Sequence, residues 1–431
     1  MGSVGSADNQ DVEHTSGIQR LCSAIFCALC IAPILLLGSC GTLGWNERRA
    51  VCDSRPIAQG KDEVVEVGCG SPDAGNGDLV MFSCDLSIAG LPPLRPINSD
   101  FENYIEFYGV GLSATTEMLQ CVEHKHSETK KDSVGGGTTT VHTYTYSVEW
   151  RSSHINSYSF QKLNSMDWER NCGAHNPDWP VGFPTFGTLY QNSAKAGAFA
   201  LPRDFVSMVP INTDLSNYTA PPGWSKAGAS YTTRVGVGRN GIGESRVRFT
   251  GNDWRNPRIT VLGENKQGTI QRWTASDSWL CSGFTLRDLR TGDASRDDLF
   301  AALASEASAL TWVLRFLGFI LMWFAFSRLF GPLEVAADCI PCVGPCLGDS
   351  IAAISCCVSC LPGCACALGV IGIVWVVMRP AVGIPLILFF ILVLAGFVGY
   401  KFYRKSQGGE AREPEVVEPK VEEEILAAEE A

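Results

Sequence analysis

The sequence predicts a membrane protein with four transmembrane α-helices, one N-terminal and three C-terminal, plus a large β-rich α+β lumenal domain. Three observations carry that prediction. Four apolar segments, 21–45, 309–330, 351–378 and 381–402, each reach the ~20 residues a helix needs to cross a hydrocarbon core about 30 Å thick. Residues 46–308, between the first segment and the second, are polar and carry strand-like runs separated by turn residues. Of the eighteen cysteines, Cys52, Cys69, Cys84, Cys121, Cys172 and Cys281 fall in that polar stretch, an even number that an oxidising lumen would allow to pair.

The elements follow in chain order. Residues 1–20 are polar and are predicted to be a disordered cytoplasmic N-terminus. Their opening, Met1-Gly2-Ser3-Val4-Gly5-Ser6, fits the myristoylation pattern and makes Gly2 a candidate lipidation site, although a chance Gly/Ser-rich start reads the same way. Segment 21–45 starts too late and runs too long for a cleaved signal, so it is predicted to be an uncleaved anchor. In the domain, Val64 to Val67 and Leu79 to Cys84 are β-rich. Leu112 to His126 and Thr138 to Arg151 flank Gly135-Gly136-Gly137, and the second run alternates with period two, which predicts a long hairpin. Asn171 to Pro222 reads as loops with a short helix. Ser245 to Thr250, Arg258 to Leu262 and Thr269 to Thr274 read as strands. Ser295 to Ala307 is an amphipathic helix entering 309–330, with Asp297 and Asp298 in its first turn, where the helix dipole favours them.

Past that span, 331–350 is predicted to be a cytoplasmic connection. Its Cys339, Cys342 and Cys346 are candidates for acylation, weighed against plain packing of thiols. Residues 403–431 form an acidic cytoplasmic tail. Lys401, Arg404 and Lys405 put the C-terminus in the cytoplasm, and four spans then put the domain in the lumen; Arg48 and Arg49 point the other way. Asn217-Tyr218-Thr219 is a glycosylation acceptor pattern that suits a lumenal domain. Six cysteines allow fifteen pairings, and spacing does not choose among them.

Chemistry-bearing motifs are scarce. With a net charge of -11 and no basic run, nucleic acid is excluded as a partner. No nucleophile elbow, zincin helix or phosphate loop occurs, so the chain is expected not to be an enzyme, with no catalytic, cofactor-binding or metal-binding residue. His124-Lys125-His126 places two imidazoles on one strand face and reads more simply as an exposed strand end. Arg315 and Arg328 lie near the ends of the second span and are expected to snorkel to the interfaces. Asn46-Glu47-Arg48-Arg49 reads as an interfacial anchor. Ala365, Gly369 and Gly372, then Ala395 and Gly399, give the small-residue spacing of closely packed helices.

Several segments resemble the transmembrane protein 43 (LUMA) family. The marker after the first span is Asn46-Glu47-Arg48-Arg49-Ala50, with Arg48 where the family has glycine. A second is Glu117-Met118-Leu119-Gln120-Cys121-Val122-Glu123, with cysteine where the family tends to have tryptophan. Glu149-Trp150-Arg151 and Arg379-Pro380 complete the ordered set. The resemblance implies residence in the endoplasmic reticulum and nuclear inner membrane as a multi-pass protein. It also implies a scaffold that organises membrane protein complexes, forms homo-oligomers and meets lamin- or emerin-like partners. The alternatives are a lipid-binding or lipid-modifying enzyme working between domain and bilayer, and, behind it, a channel.

Overall fold

The structure is a computed structural model. It describes residues 8–132, 136–180, 182–184, 187–234, 237–252, 258–277, 280–338 and 344–385, and several positions from there to Tyr400. The chain divides into two units, Met1–Ala367 and Leu368–Ala431.

The first unit begins with β1 (Gln10–Thr15), α1 (Gly17–Phe26), one π turn (Cys27–Ile31) and α2 (Ala32–Glu63). Next come β2 (Val65–Glu66), β3 (Leu79–Ser87), β4 (Gly111–Lys131), β5 (Thr138–Arg151), α3 (Met166–Asn171), β6 (Thr188–Tyr190), β7 (Ser193–Ala196) and β8 (Phe199–Pro202). The chain continues through α4 (Arg203–Val206), β9 (Ile211–Asp214), β10 (Ser225–Ala227), β11 (Ser230–Thr233), β12 (Ser245–Asn252), β13 (Arg258–Lys266) and β14 (Thr269–Gln271). After β15 (Trp273–Thr274), β16 (Thr285–Leu286) and β17 (Asp288–Thr291) come the long helices α5 (Arg296–Asp338) and α6 (Gly344–Met378).

The strands build two main sheets. One runs in the order β1-β5-β4-β12-β11-β10, with β6 beside β4 and β9 beside β12. The other joins β17, β13, β14, β8, β7, β3 and β2, with β13 also paired to β3. The expected hairpin is the spine of the first sheet: β4 and β5 stay in register from Met118↔Arg151 to Lys131↔Thr138. In the second sheet, alternation along β3 sends Val80, Phe82 and Cys84 to a core with Phe199, Phe205 and Val261. It sends Leu79 and Met81 to the other face, under Leu299 and Phe300 of α5. A third core, around Phe101, Tyr231, Val247 and Phe249, covers the first sheet.

Three disulfides lock the domain. Cys52–Cys281 joins α2 to the segment before β16, Cys69–Cys84 ties a loop to β3, and Cys121–Cys172 ties β4 to the end of α3.

The start of the chain departs from the expected disordered 1–20. Gln10–Thr15 forms β1, antiparallel to β5 from Gln10↔Thr143 to Thr15↔Thr138. Ser16 then caps α1, its Oγ accepting from Gln19 N while its own N–H donates to Gln19 Oε1. The segment Gln-Asp-Val-Glu-His-Thr holds one large apolar residue, so no alternation betrays it; the partner strand supplies its hydrogen bonds.

Among the described residues, three helices are long and apolar enough to cross a membrane: Gly17–Glu63, Arg296–Asp338 and Ala353–Met378. The first runs on through the π turn just before Pro33. A proline ring crowds the carbonyl four residues back, here Leu29, and the widened turn relieves that clash. This helix packs antiparallel to α5 along its length. Lys61 pairs with Asp297, Leu43 lies on Gly318, Ala24 comes beside Gly331, and Arg20 meets Asp338. A Cβ on Gly318 would sit 2.5 Å from Leu43, so glycine sets the approach of the two helices. α6 packs on α5 at Gly363, against the Trp323 backbone, and the Trp323 indole donates to Cys356 O at 2.8 Å.

In the second unit, α6 ends at Met378 because Pro380 disfavours helix at Arg379. The Val382 and Gly383 amides donate to Arg379 O at 3.0 and 2.9 Å, and the described positions from Pro380 to Tyr400 are helical. The fourth expected span, 381–402, is therefore only partly within the described residues.

Candidate functional site at the helix-domain junction

Where α2 leaves its apolar stretch, Asn46 and Arg49 lie three residues apart on one side and Glu47 lies four residues past Leu43, and all of them reach α5. Glu47 is 1% exposed in its side chain and receives a two-point contact from Arg315, Nε to Oε1 at 2.6 Å and Nη2 to Oε2 at 2.7 Å. Asn46 Nδ2 donates to Thr311 O, and Arg49 donates to Asn46 Oδ1, Thr311 Oγ1 and Asp53 Oδ2. Arg49 Nε is buried without a hydrogen bond, and its guanidinium lies over Trp45. Arg48, where the resembling motif has glycine, reaches the Leu280 carbonyl beside the Cys52–Cys281 bridge.

Arg315 therefore does not snorkel. A buried carboxylate one helix away neutralises it and takes two of its donors, which costs less than a charge left alone in an apolar setting. Sequence reasoning missed the pairing, although a cation inside an apolar span demands a partner. Arg328 lies over the Phe324 ring.

Between α2 and α5, just beyond this polar cluster, runs an open groove of about 490 Å³. Ala50, Ala58, Ala301, Ala304 and Ala307 line it, with Lys61 at one end and Trp312 and Arg315 at the other.

The second motif group sits on the β4–β5 spine. Glu117 accepts from Arg246 at 2.6 Å, and Arg246 stacks over Trp150 at 4.2 Å. Gln120 donates to Ser153 O and accepts from Ile155 N; Glu123 Oε2 accepts from Tyr146 OH and Gln161 N. Those bonds pin the loop after β5 onto the sheet. Burial, with the Glu123 carboxylate beside it, pushes the Tyr146 phenol upward. Glu149 binds Arg151 at 2.5 Å, Ser147 at 2.6 Å and His124 at 2.7 Å. The hydrogen bond from Ser147, then that with His124, holds the Glu149 carboxyl below its usual range. Asn176, missed in the sequence, bonds both N–H and C=O of Cys121.

The remaining candidates separate. Asn217 is exposed on a loop. Gly2, Cys339 and Cys342 lie outside the described residues, and of Cys346 only its place in α6 is described. Asp293 pairs with Arg258, Asp297 with Lys61, and Asp298 caps at Ser295, so the three carboxylates do not converge. Among the described residues, no three His, Cys, Asp or Glu side chains gather as a metal site.

Long apolar helices joined to each other through a buried ion-pair cluster, and tied to a two-sheet body by the Cys52–Cys281 bridge, define a membrane protein with a large extramembrane β-domain. The chain belongs to the transmembrane protein 43 family, whose sequence profile matches residues 118–380. That range takes in Gln120, Glu123, Glu149 to Arg151, Arg379 and Pro380; the Asn46 to Ala50 motif and Glu117 lie ahead of it. No curated protein and no solved structure matches the chain.

Proposed function

We propose that this chain is a multi-pass membrane scaffold of the endoplasmic reticulum and nuclear inner membrane. Its β-domain binds partners in the oxidising lumen, and its helices associate with further copies. Lamin- or emerin-like membrane proteins are the partner class, by kinship with the family. One observation carries the reading most: the motif side chains are spent on joining elements to one another. Glu47 and Asn46 bind α5, Arg48 holds the disulfide loop, and Gln120 and Glu123 hold the loop after β5. The three disulfides favour the lumen. Among the described residues none stands within 4 Å of where a Cβ on Gly369 of α6 would sit, which favours close approach of a second helix.

Proximity labelling and chemical cross-linking in intact membranes test this reading. Recurrent membrane-protein neighbours and a cross-linked homo-oligomer are expected. A monomer with no repeatable neighbours would defeat it.

The groove between α2 and α5 favours a second reading, lipid binding. Its alanine-lined wall opens beside Trp312, and copurified lipid should then fall when Ala304→Phe fills it.

A further inference from the structure

The groove between α2 and α5 lies on the β-domain's side of the membrane boundary. Asn46, where α2 turns polar, bonds Thr311, where the apolar stretch of α5 begins, so that bond marks the boundary on both helices. Trp312 stands at the groove's membrane end, 64% exposed, with the Arg315 guanidinium 4.8 Å from its ring centre. A tryptophan at that level suits the headgroup layer. Val313 and Phe316, both exposed, carry the apolar surface on into the span. In the other direction the wall runs out through Ala307, Ala304 and Ala301 of α5 and through Ala50 and Ala58 of α2. Ala58, Ala301 and Ala304 are exposed, so this wall stands in water unless something lies on it.

Size and charge narrow the occupant. From Ala301 to Trp312 the wall is about 16 Å long at 1.5 Å per residue. That is close to half of a hydrocarbon core about 30 Å thick, the depth one acyl chain fills in one leaflet. The groove's volume of about 490 Å³ holds on the order of sixteen groups of water's size at ~30 Å³ each, and a methylene is of that size. One acyl chain fills it, and the two chains of a phospholipid overfill it. A helix about 10 Å across takes up about 1,300 Å³ over the same length, so only its edge would enter. A chain sliding in from the leaflet stays on apolar surface throughout, and the gain is an alanine wall removed from water. At the far end stands Lys61, 47% exposed and paired with Asp297, which is 82% exposed. So open a pair holds its lysine weakly, and a ligand anion can take the place of Asp297. Asp62 and Glu63 follow in the chain, and they favour a singly charged carboxylate over a phosphate.

We infer that the groove takes a single-chain acidic amphiphile, a long-chain fatty acid drawn from the leaflet on the domain's side, with its tail toward Trp312 and its carboxylate at Lys61. This rests on the lipid-binding reading of the groove and names the lipid. The occupant lies along the two helices beyond the headgroup layer, its chain against the alanines and its head in water.

The test uses full-length protein in phosphatidylcholine vesicles with three photoreactive probes, each carrying a mid-chain diazirine: palmitic acid, its methyl ester, and a phosphatidylcholine bearing the same chain. Peptide mapping after irradiation should find the acid on both walls, residues 50–61 and 300–312, ahead of the other two probes. Ala304→Phe and, independently, Ala301→Leu, both at exposed wall positions, should remove most of that labelling with melting unchanged; labelling that persists in both variants overturns the proposal. Lys61→Gln should lower labelling by the acid up to about fivefold, the worth of one exposed ion pair, and leave that by the ester unchanged. Equal labelling by acid and ester in the parent, or a preference for the phosphatidylcholine, overturns the fatty-acid assignment and leaves lipid binding standing. No probe on either wall defeats both. Labelling confined to the monomer and lost in the oligomer would put a second copy in the groove and also overturn the assignment.

Discussion

Removing one member of the Glu47–Arg315 pair should be among the most damaging single changes in the helix pair. Glu47 is 1% and Arg315 19% exposed in the side chain, and the contact is two-point at 2.6 and 2.7 Å. Glu47→Ala strands a guanidinium against α2, and breaking a buried pair this way costs about 3–5 kcal/mol. Replacing both members by apolar residues of similar bulk, Glu47→Leu with Arg315→Met, should recover most of that loss, because no charge then stays buried. The measurement is a double-mutant cycle on detergent-solubilised full-length protein, followed by thermal denaturation. For a folded body of this size the single substitution should lower Tm by about 6–20 °C, at ~2–4 °C per kcal/mol. The coupling term should reach at least about 2 kcal/mol, within the range for residues in direct contact. A Glu47→Ala protein that melts within 2 °C of the parent, or a double variant no better than the worse single, would refute a buried, mutually neutralising pair; 2 °C corresponds to under about 1 kcal/mol.

Other expectations follow from the same geometry. Gly318→Val should destabilise by about 1–3 kcal/mol through overpacking on Leu43, and Leu43→Ala should relieve part of it in the double variant; Gly369→Val, with no described residue within 4 Å of the added Cβ, should leave the monomer's melting unchanged. Cys52→Ser should cost up to about 5 kcal/mol, since its bridge closes a loop of sequence separation 229, and non-reducing peptide mapping of the parent should recover the Cys52–Cys281 link. Acid should erode the contribution of Glu149. Its folded pKa lies below the unfolded value, so the stabilisation is full above the unfolded pKa and is lost as pH falls through the folded one. The Tm gap between parent and Glu149→Gln should therefore be present at pH 7 and shrink toward pH 3; a gap independent of pH would contradict it.

The sequence made the hairpin readable because Val141 to Arg151 alternates and glycines sit at the tip, and both signals are local. The first three apolar segments were readable for the same reason, each being a continuous run on one helix. Partnership was not. Glu47 and Arg315 are separated by 268 positions, and no periodicity says that one helix will face the other. Arg315 alone looked like an interfacial cation because its span is judged without its neighbour. β1 escaped because an exposed edge strand needs no buried face, so Gln10 to Thr15 carries polar side chains throughout except Val12. The bonds of Gln120 and Glu123 fix a loop whose path depends on tertiary contacts, so their motif was visible while its purpose was not.

The antiparallel pairing of the first helix with α5 also sets a timetable for biosynthesis. A ribosome adds about 5–20 residues per second, so after Glu63 emerges roughly 14–55 s pass before its partner helix is complete. For most of that interval Leu43 lacks Gly318, Glu47 lacks Arg315 and Cys52 lacks Cys281. The newborn chain must shelter a long greasy rod bearing an unmatched acid, which makes a waiting chaperone or lipid headgroup layer part of how this protein is made.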